Sequence, residues 1–253
     1  MAGTRGFGID VGGSGIKGCV VDLDAGQLDG ERIRIDTPDP STPELVAGVV
    51  REIVAGFGWT GPVGVTLPAV IKRGTALTAA NIDKSWIGTD ATSTFTRKLG
   101  RPPGDVVVLN DADAAGLAEI RYGWPGDQAG VVVLLTFGTG IGSALFLDGK
   151  LVPNTEFGHL EVDGEDAETR AAASVKDELG LSYEEWAHRV SRYIRVLEDL
   201  IWPDLIIAGG GVSKKADKWL PLLDVRTRVV AAELRNDAGI VGAAVAAAEG
   251  AGN

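Results

Sequence analysis

The chain has a single cysteine, Cys19, among its 253 residues. A disulfide within the chain is therefore excluded, and so is a zinc site built from four cysteines. The sequence also lacks any run of about 18 apolar residues that could span a membrane. Its first ten residues, MAGTRGFGID, contain no apolar segment of the kind found in signal peptides. From these absences we expect a cytoplasmic protein with no membrane partner.

Basic residues are in the minority, because 24 lysines and arginines stand against 35 aspartates and glutamates, and the formal net charge is −11. Nucleic-acid binding depends on a basic surface, so this balance argues against a nucleic-acid partner. Any polyanionic ligand would need a local positive pocket within an acidic chain. The hydrophobic fraction of 45% and the charged fraction of 23% are those of an ordinary globular protein.

Four short apolar runs predict strands that are covered on both faces. These runs are residues 63–67, 106–110, 131–137 and 205–209. Helical segments alternate with them, and two of these begin with predicted capping boxes, Ser41 with Glu44 and Ser182 with Glu185. A further helix, rich in small residues, is predicted at 237–250. This alternation of strands and helices indicates the α/β class.

The stretch GFGIDVGGSGIKGCVVDLD, residues 6–24, has the spacing G-x-G-x-x-G at Gly13, Gly15 and Gly18. In a dinucleotide-binding dehydrogenase a helix would follow these glycines directly. Here the residues from Cys19 to Leu23 alternate as they do in a strand. We therefore predict a hairpin loop whose backbone amides face an anion such as phosphate. An ordinary tight hairpin is the alternative.

Asp10 immediately precedes this loop. A bare carboxylate there would repel a bound phosphate unless a cation lay between them, which predicts Mg²⁺ at this position. A second stretch, residues 138–151, repeats the pattern of residues 13–28, with a G-[ST]-G-I loop followed by a strand-like run and an Asp-containing turn. The repeat predicts two similar domains with facing phosphate loops, unless the two glycine-rich turns are alike by chance.

Five motifs together resemble those of the ROK sugar kinases, a family of the actin, hsp70 and sugar-kinase superfamily. They are DVGGSGIKG (10–18), LNDADAAGLAE (109–119), TFGTGIGSALFLDGKL (136–151), EFGH (156–159) and IIAGGGVS (206–213). The resemblance implies an α/β, two-domain actin-like ATPase (ribonuclease H-like) fold with a sugar and phosphate cleft between the domains. It further implies a smaller domain of residues 1–110 with 237–253, a larger domain of residues 111–236, and closure that expels water.

Within this family the segment TAANIDKSWIGTDA (78–91) resembles a branch whose phosphoryl donor is inorganic polyphosphate. The family's usual zinc-binding cysteines are missing, so a zinc-binding role does not transfer to His159. The resemblance implies transfer of a terminal phosphoryl group from polyphosphate, with ATP as a second donor, to the 6-hydroxyl of glucose. The main alternative is a strictly ATP-dependent hexokinase for glucose, mannose or an N-acetyl sugar. A sugar-responsive repressor is not expected, because the first strand begins too early for an upstream DNA-binding domain.

Residue roles follow from the matched motifs. Asp111 is implied to be the catalytic base, although its place before a helix suits a helix cap equally well. The implied sugar ligands are Asn81, Asn110, Glu156, His159 and Glu168. The implied phosphate and nucleotide ligands are Asp10, Gly12, Gly13, Ser14, Lys17, Gly138, Thr139, Gly140, Gly142, Gly210 and Gly211.

The path of a polyphosphate chain is not evident from the sequence. Lysines and arginines form small clusters at residues 72–73, 84, 97–98 and 214–218. Each cluster is better explained as a solvated face, and the sequence alone does not show that the clusters converge. The resemblance also implies a homodimer.

Overall fold

The computed structural model describes residues 3–124, 126 and 128–250. The strands are β1 (Arg5–Val11), β2 (Gly15–Asp22), β3 (Gln27–Leu28), β4 (Ile33–Asp36), β5 (Val63–Leu67), β6 (Ile71–Lys72), β7 (Thr75–Ala76), β8 (Val106–Asn110), β9 (Val131–Phe137), β10 (Ile141–Leu147), β11 (Lys150–Val152), β12 (Glu161–Val162), β13 (Glu165–Asp166), β14 (Leu205–Gly209) and β15 (Arg228–Ala231). The helices are α1 (Pro43–Gly56), α2 (Ala91–Leu99), α3 (Asp111–Ala118), α4 (Glu168–Ala171), α5 (Ala173–Glu178), α6 (Tyr183–Ile201) and α7 (Ala238–Glu249). No helix of the described residues is long and apolar enough to cross a membrane.

The described residues form two compact units. The first runs to Tyr122 and includes the residues from Asp237 onwards, and the second spans Gly123–Asn236. Helix α3 therefore lies in the first unit, whereas the sequence expectation divided the chain at residue 110. The reason is its close packing on α7, where a Cβ added to Gly242 would lie only 1.7 Å from the carbonyl oxygen of Ala114.

The sheet of the first unit has the strand order β3-β2-β1-β5-β8, with β4 also paired to β2. Strands β1 and β2 are antiparallel, whereas β1, β5 and β8 run parallel. Alternate residues of β8 enter two different clusters, because Val108 packs with α1 residues such as Val50 and Leu109 packs with α7 residues such as Ala243. Helices therefore cover both faces of this sheet, which explains its continuous apolar strands.

The sheet of the second unit has the order β11-β10-β9-β14-β15. It too begins with an antiparallel hairpin, β9 with β10, and continues with parallel strands. Its core includes Phe137, Trp186 and Trp219, whose rings meet edge to face with centroids 4.8–5.8 Å apart. Both units thus share one plan, in which a glycine loop joins two antiparallel strands at the edge of a parallel sheet. The sequence repeat is confirmed in this respect.

The predicted strands at 63–67, 106–110, 131–137 and 205–209 are all present with these bounds. The capping box at Ser182 is also confirmed, because its hydroxyl accepts from the Glu185 amide and the Glu185 carboxylate accepts in return.

The capping box predicted at Ser41 is wrong. Thr42 is the N-cap of α1 and makes no side-chain capping bond. The Ser41 hydroxyl instead accepts a hydrogen bond from the Asp83 amide at 2.9 Å, and Glu44 forms an ion pair with Lys98. A contact with a distant segment therefore replaces the local one.

Candidate active site

The first glycine loop, residues 12–14, connects β1 to β2 within the first unit. The Gly12 amide donates to the Gly15 carbonyl at 3.1 Å, and the Gly12 carbonyl accepts from the Thr37 hydroxyl at 2.5 Å. Gly12 therefore closes the turn, which corrects the expectation that its amide faces phosphate. Gly13 and Ser14 are exposed, and among the described residues their amides donate no hydrogen bond. These two amides are the donors that the loop offers to an anion.

Asp10 lies at the end of β1, directly opposite Lys17 of β2. The Lys17 ammonium is 3.7 Å from one carboxylate oxygen of Asp10, and the Thr66 hydroxyl donates to the other at 3.0 Å. Within the described part of the chain, Asp10 belongs to no cluster of three potential metal ligands. A site with few protein ligands suits Mg²⁺, because this ion usually keeps several water ligands and binds phosphate oxygens.

Asn81 lies beside the first glycine loop. A Cβ added to Gly13 would be 2.9 Å from the Asn81 carbonyl oxygen, so the two segments nearly touch. Asn81 itself is exposed and has a left-handed backbone with φ of 58°. Its position next to the phosphate loop is consistent with a role in ligand binding.

Asn110 and Asp111 stand where β8 ends and α3 begins. Asn110 is the N-cap, and its side-chain oxygen accepts from the amides of Ala112 and Asp113 at 2.8 and 3.1 Å. Its amide group also donates to the Ala69 carbonyl at 3.1 Å, and the residue is buried. Asn110 is therefore the residue that caps α3, whereas the sequence suggested Asp111 as a possible cap.

Asp111 is the first residue of α3 and is half-buried. One of its carboxylate oxygens accepts from the Ala112 amide at 2.9 Å. Asp111 thus lies at the carboxyl end of a parallel strand, where ligands bind in open α/β sheets.

The second glycine loop, residues 138–140, connects β9 to β10 within the second unit. The Gly138 amide donates to the Gly140 carbonyl at 3.0 Å, so this amide also closes a turn rather than facing phosphate. Ser174 fixes the loop from α5, because its amide donates to Gly138 at 3.0 Å and its hydroxyl to Thr139 at 2.8 Å. Gly142 lies within β10, opposite Thr136. The amides left to a donor phosphate are those of Thr139 and Gly140, which form no hydrogen bond within the described chain.

Glu168 is tied directly to this loop. Its carboxylate accepts from the Ile141 amide at 3.1 Å, and a Cβ added to Gly140 would lie 2.4 Å from the same oxygen. Only glycine at position 140 leaves room for Glu168 in this place. Glu168, a candidate sugar ligand, is therefore in direct contact with a candidate phosphate loop.

His159 and Glu168 lie close together, and both influence the Glu156 carboxyl electrostatically. His159 Nδ1 is 2.9 Å from an oxygen of Asp166 and 3.9 Å from an oxygen of Glu168. The His159 side chain is 56% exposed, so its other ring nitrogen remains available to a ligand. Asp166 was not predicted, because nothing in the run GEDAE distinguishes it from its acidic neighbours.

Two groups in this cluster have shifted pKa values. The hydrogen bond to Asp166 raises the pKa of His159 above its ordinary value, with further help from Glu168 and Glu156, although partial desolvation opposes the shift. Glu156 is exposed to solvent as a whole residue, yet partial desolvation of its carboxyl raises its pKa, while His159 lowers it and Glu168 raises it. Such shifts mark a site where charged groups gather without full hydration.

The third glycine motif follows β14. Gly210 has a left-handed backbone with φ of 83°, and a Cβ there would lie 2.3 Å from the Phe137 carbonyl oxygen. Strands β14 and β9 are parallel neighbours, with Gly209 opposite Thr136. The Gly210–Gly211 turn and the second glycine loop therefore leave the same edge of one sheet, where ligands bind in open α/β sheets.

Similarity to known proteins identifies the family of this chain. The sequence model of the ROK family matches residues 6–174. The polyphosphate glucokinase of Mycobacterium tuberculosis strain H37Rv is 62% identical over 96% of this chain and 91% of its own length. That of Mycobacterium leprae is 60% identical over 96% of this chain and 74% of its own length.

Solved structures of similar proteins show the same fold. An inorganic polyphosphate/ATP-glucomannokinase from Arthrobacter sp. strain KM is 52% identical with a TM-score of 0.91, over 97% of this chain and 99% of the other. A ROK family glucokinase from Streptomyces griseus, in complex with glucose and AMPPNP, is 26% identical with a TM-score of 0.81, over 97% and 100%. The fold is thus the actin-like two-domain α/β fold of these kinases, and the chain belongs to the ROK family.

Proposed function

We propose that this protein is a polyphosphate-dependent glucokinase, which transfers the terminal phosphoryl group of inorganic polyphosphate to the 6-hydroxyl of glucose. The observation that carries this proposal is the 62% identity to polyphosphate glucokinases over 96% of the chain. The clustering of Glu156, His159 and Glu168 at the second glycine loop supports it independently, because this is the chemistry that binds sugar hydroxyls beside a phosphate.

Asp111 is the proposed base. Its carboxylate takes the proton of the 6-hydroxyl as that oxygen forms a bond to the terminal phosphorus, and the bond from phosphorus to the bridging oxygen breaks. The products are glucose 6-phosphate and a polyphosphate shorter by one unit. Asn110 positions Asp111 by capping α3, and Asn81 is proposed as a sugar contact from the first unit.

The donor phosphates are proposed to bind backbone amides of the two glycine loops. The usable amides are those of Gly13 and Ser14 in the first unit and of Thr139 and Gly140 in the second. Mg²⁺, held by Asp10, would neutralise charge on the phosphate oxygens. Lys17 lies opposite Asp10, with its ammonium 3.7 Å from one carboxylate oxygen, and is proposed to pair with the donor phosphate as a point charge.

ATP is proposed as a second donor and mannose as a second acceptor. The specific support is the 52% identity to the Arthrobacter enzyme, which is an inorganic polyphosphate/ATP-glucomannokinase. The Gly210–Gly211 turn is the proposed place for the nucleotide. A cytoplasmic homodimer is part of the same proposal, and light scattering on the purified protein tests its oligomeric state.

The direct test is a donor and acceptor screen. Formation of sugar 6-phosphate is measured with long-chain polyphosphate or ATP, on glucose, mannose or N-acetylglucosamine, each with and without Mg²⁺. We expect transfer to glucose from polyphosphate that requires Mg²⁺. Activity with ATP and none with polyphosphate would establish the ATP-dependent hexokinase instead.

A further inference from the structure

Three segments of the second unit meet at Tyr183, and two of them adjoin the second glycine loop or the Gly210–Gly211 turn. The first is α5, which holds the loop through the two hydrogen bonds from Ser174. The second is the pair of 3-10 turns at Gly211–Lys218, which directly continue the third glycine motif. The third is the beginning of α6, whose first residue is Tyr183.

Two lysines from these segments meet on one aromatic ring. Lys176 Nζ lies 4.7 Å and Lys218 Nζ lies 6.0 Å from the centroid of Tyr183. Lysine ammonium groups are attracted to an aromatic face at such distances. The ring therefore holds together two cations that would otherwise repel each other.

Lys176 lies in α5, two residues after Ser174, whose amide and hydroxyl hold the second glycine loop. Its side chain leaves the helix on a different face from Ser174 and extends to the ring of Tyr183. The side chain is only 17% exposed, because it lies along Tyr183. Its ammonium is also 3.3 Å from Asp177, whose side chain is 80% exposed and well hydrated. An exposed acid of this kind neutralises a lysine only weakly.

Lys218 belongs to a locally basic segment in an acidic chain. Residues 211–218 contain Lys214, Lys215 and Lys218 against a single acid, Asp217, while the whole chain carries a net charge of −11. The three lysines are exposed. A local cluster of positive charge on an acidic protein can attract a polyanion that the rest of the surface repels.

We propose that Lys176, Tyr183 and Lys218 form a subsite for the part of a polyphosphate chain that lies beyond the transferred unit. This subsite rests on the proposed function and names the donor class that the same site accepts. Lysine suits it, because a compact ammonium on a flexible stem attracts successive phosphates without fixing their register. ATP ends in a nucleoside after three phosphates and has no further units to place there.

The test compares Lys176→Gln, Lys218→Gln and the double variant with a matched control, Lys150→Gln. Lys150 is an exposed lysine of the same unit, on β11. KM is measured for long-chain polyphosphate, tripolyphosphate, ATP and glucose. We expect each single change to raise the KM for long-chain polyphosphate about three- to tenfold, and the double change to raise it further. The KM values for tripolyphosphate, ATP and glucose should stay within about twofold, as should all values for the control.

Salt supplies an independent readout. The wild-type KM for long-chain polyphosphate should rise steeply between about 0.05 and 0.5 M salt, and the double variant should lose much of this dependence. An unchanged polyphosphate KM in the double variant overturns the subsite. An equal rise with ATP also overturns it, since the lysines would then serve donors in general. If the wild type uses ATP and no polyphosphate at all, the proposed function itself fails.

Discussion

His159 Nδ1 lies 2.9 Å from a carboxylate oxygen of Asp166. The hydrogen bond fixes the orientation of the imidazole, since Nδ1 donates to Asp166 and leaves Nε2 for the ligand. The same bond is the main cause of the raised pKa of His159. A carboxylate of the same segment thus orients this histidine.

Asp166→Asn should lower the pKa of His159 toward its ordinary value of about 6.5, because the largest cause of the shift is removed. NMR titration can follow this directly, since the chain has two histidines and the other, His188, is exposed and serves as an internal reference. The KM for glucose should rise about three- to tenfold with a smaller change in kcat. An unshifted His159 titration would contradict this role.

The sign of the effect on stability follows from the raised pKa of His159. The folded state favours the protonated imidazole, so this stabilisation is fully present below about pH 6.5 and is lost as pH rises through the raised value. Asp166→Asn should therefore destabilise the protein more at pH 5.5 than at pH 9. Urea unfolding at the two pH values measures the difference. Equal destabilisation at both would indicate that Asp166 acts only through packing.

Glu156→Gln should have opposite effects on stability and on activity. Desolvation raises the pKa of Glu156, so the ionised form is disfavoured in the folded state and costs stability above that raised value. Removing the charge should raise Tm only slightly at pH 8, because water screens the exposed side chain, and leave it nearly unchanged at pH 4, where the carboxyl is largely protonated. The KM for glucose should rise because a proposed ligand is lost. A lower Tm at pH 8 would contradict the desolvation argument.

Gly140→Ala should lower kcat/KM for glucose by about 100-fold or more. A Cβ at this position would lie 2.4 Å from the Glu168 carboxylate, which must then move away from the Ile141 amide. A shift of about 1 Å at a catalytic site costs rate on this scale. The matched control is Gly48→Ala on α1, where the added Cβ meets only Lys98 at 3.9 Å. Retained activity in Gly140→Ala would show that Glu168 does not depend on this glycine.

Asp10→Asn should raise the Mg²⁺ concentration that gives half-maximal activity by about tenfold or more, because the proposed ion loses the carboxylate proposed to hold it. Asn keeps the shape, and the Thr66 hydroxyl can still donate to its oxygen. Mg²⁺ titrations of the initial rate measure the shift. An unchanged Mg²⁺ dependence would place the ion elsewhere.

The sequence was most informative where local pattern decides the structure. The four buried strands and the capping box at Ser182 depend on neighbouring residues, and both are confirmed. Gly138 shows what a local pattern cannot predict. A glycine-rich loop suggests that amides are available to a ligand, but the sequence does not show that the Gly138 amide bonds within the turn.

Contacts between distant segments could not be predicted in the same way. Ser41 fits a capping box by spacing, yet its hydroxyl bonds to Asp83, 42 residues away. Likewise Lys176 and Lys218 lie far apart in sequence and converge only through Tyr183. The contact between Thr66 and Asp10 could not be predicted either. Thr66 lies in an apolar strand, and the two residues become neighbours only through the parallel pairing of β1 with β5.

The central claim is that Asp111 removes the proton of the sugar hydroxyl, and the turnover of Asp111→Asn tests it most directly. Deprotonation concerns the acceptor, so kcat should fall about 10²- to 10⁴-fold with polyphosphate and with ATP alike. The KM for glucose should change little and Tm should stay within a few degrees, since Asn110 still caps α3. Near wild-type turnover in a folded Asp111→Asn enzyme, with either donor, would contradict the account.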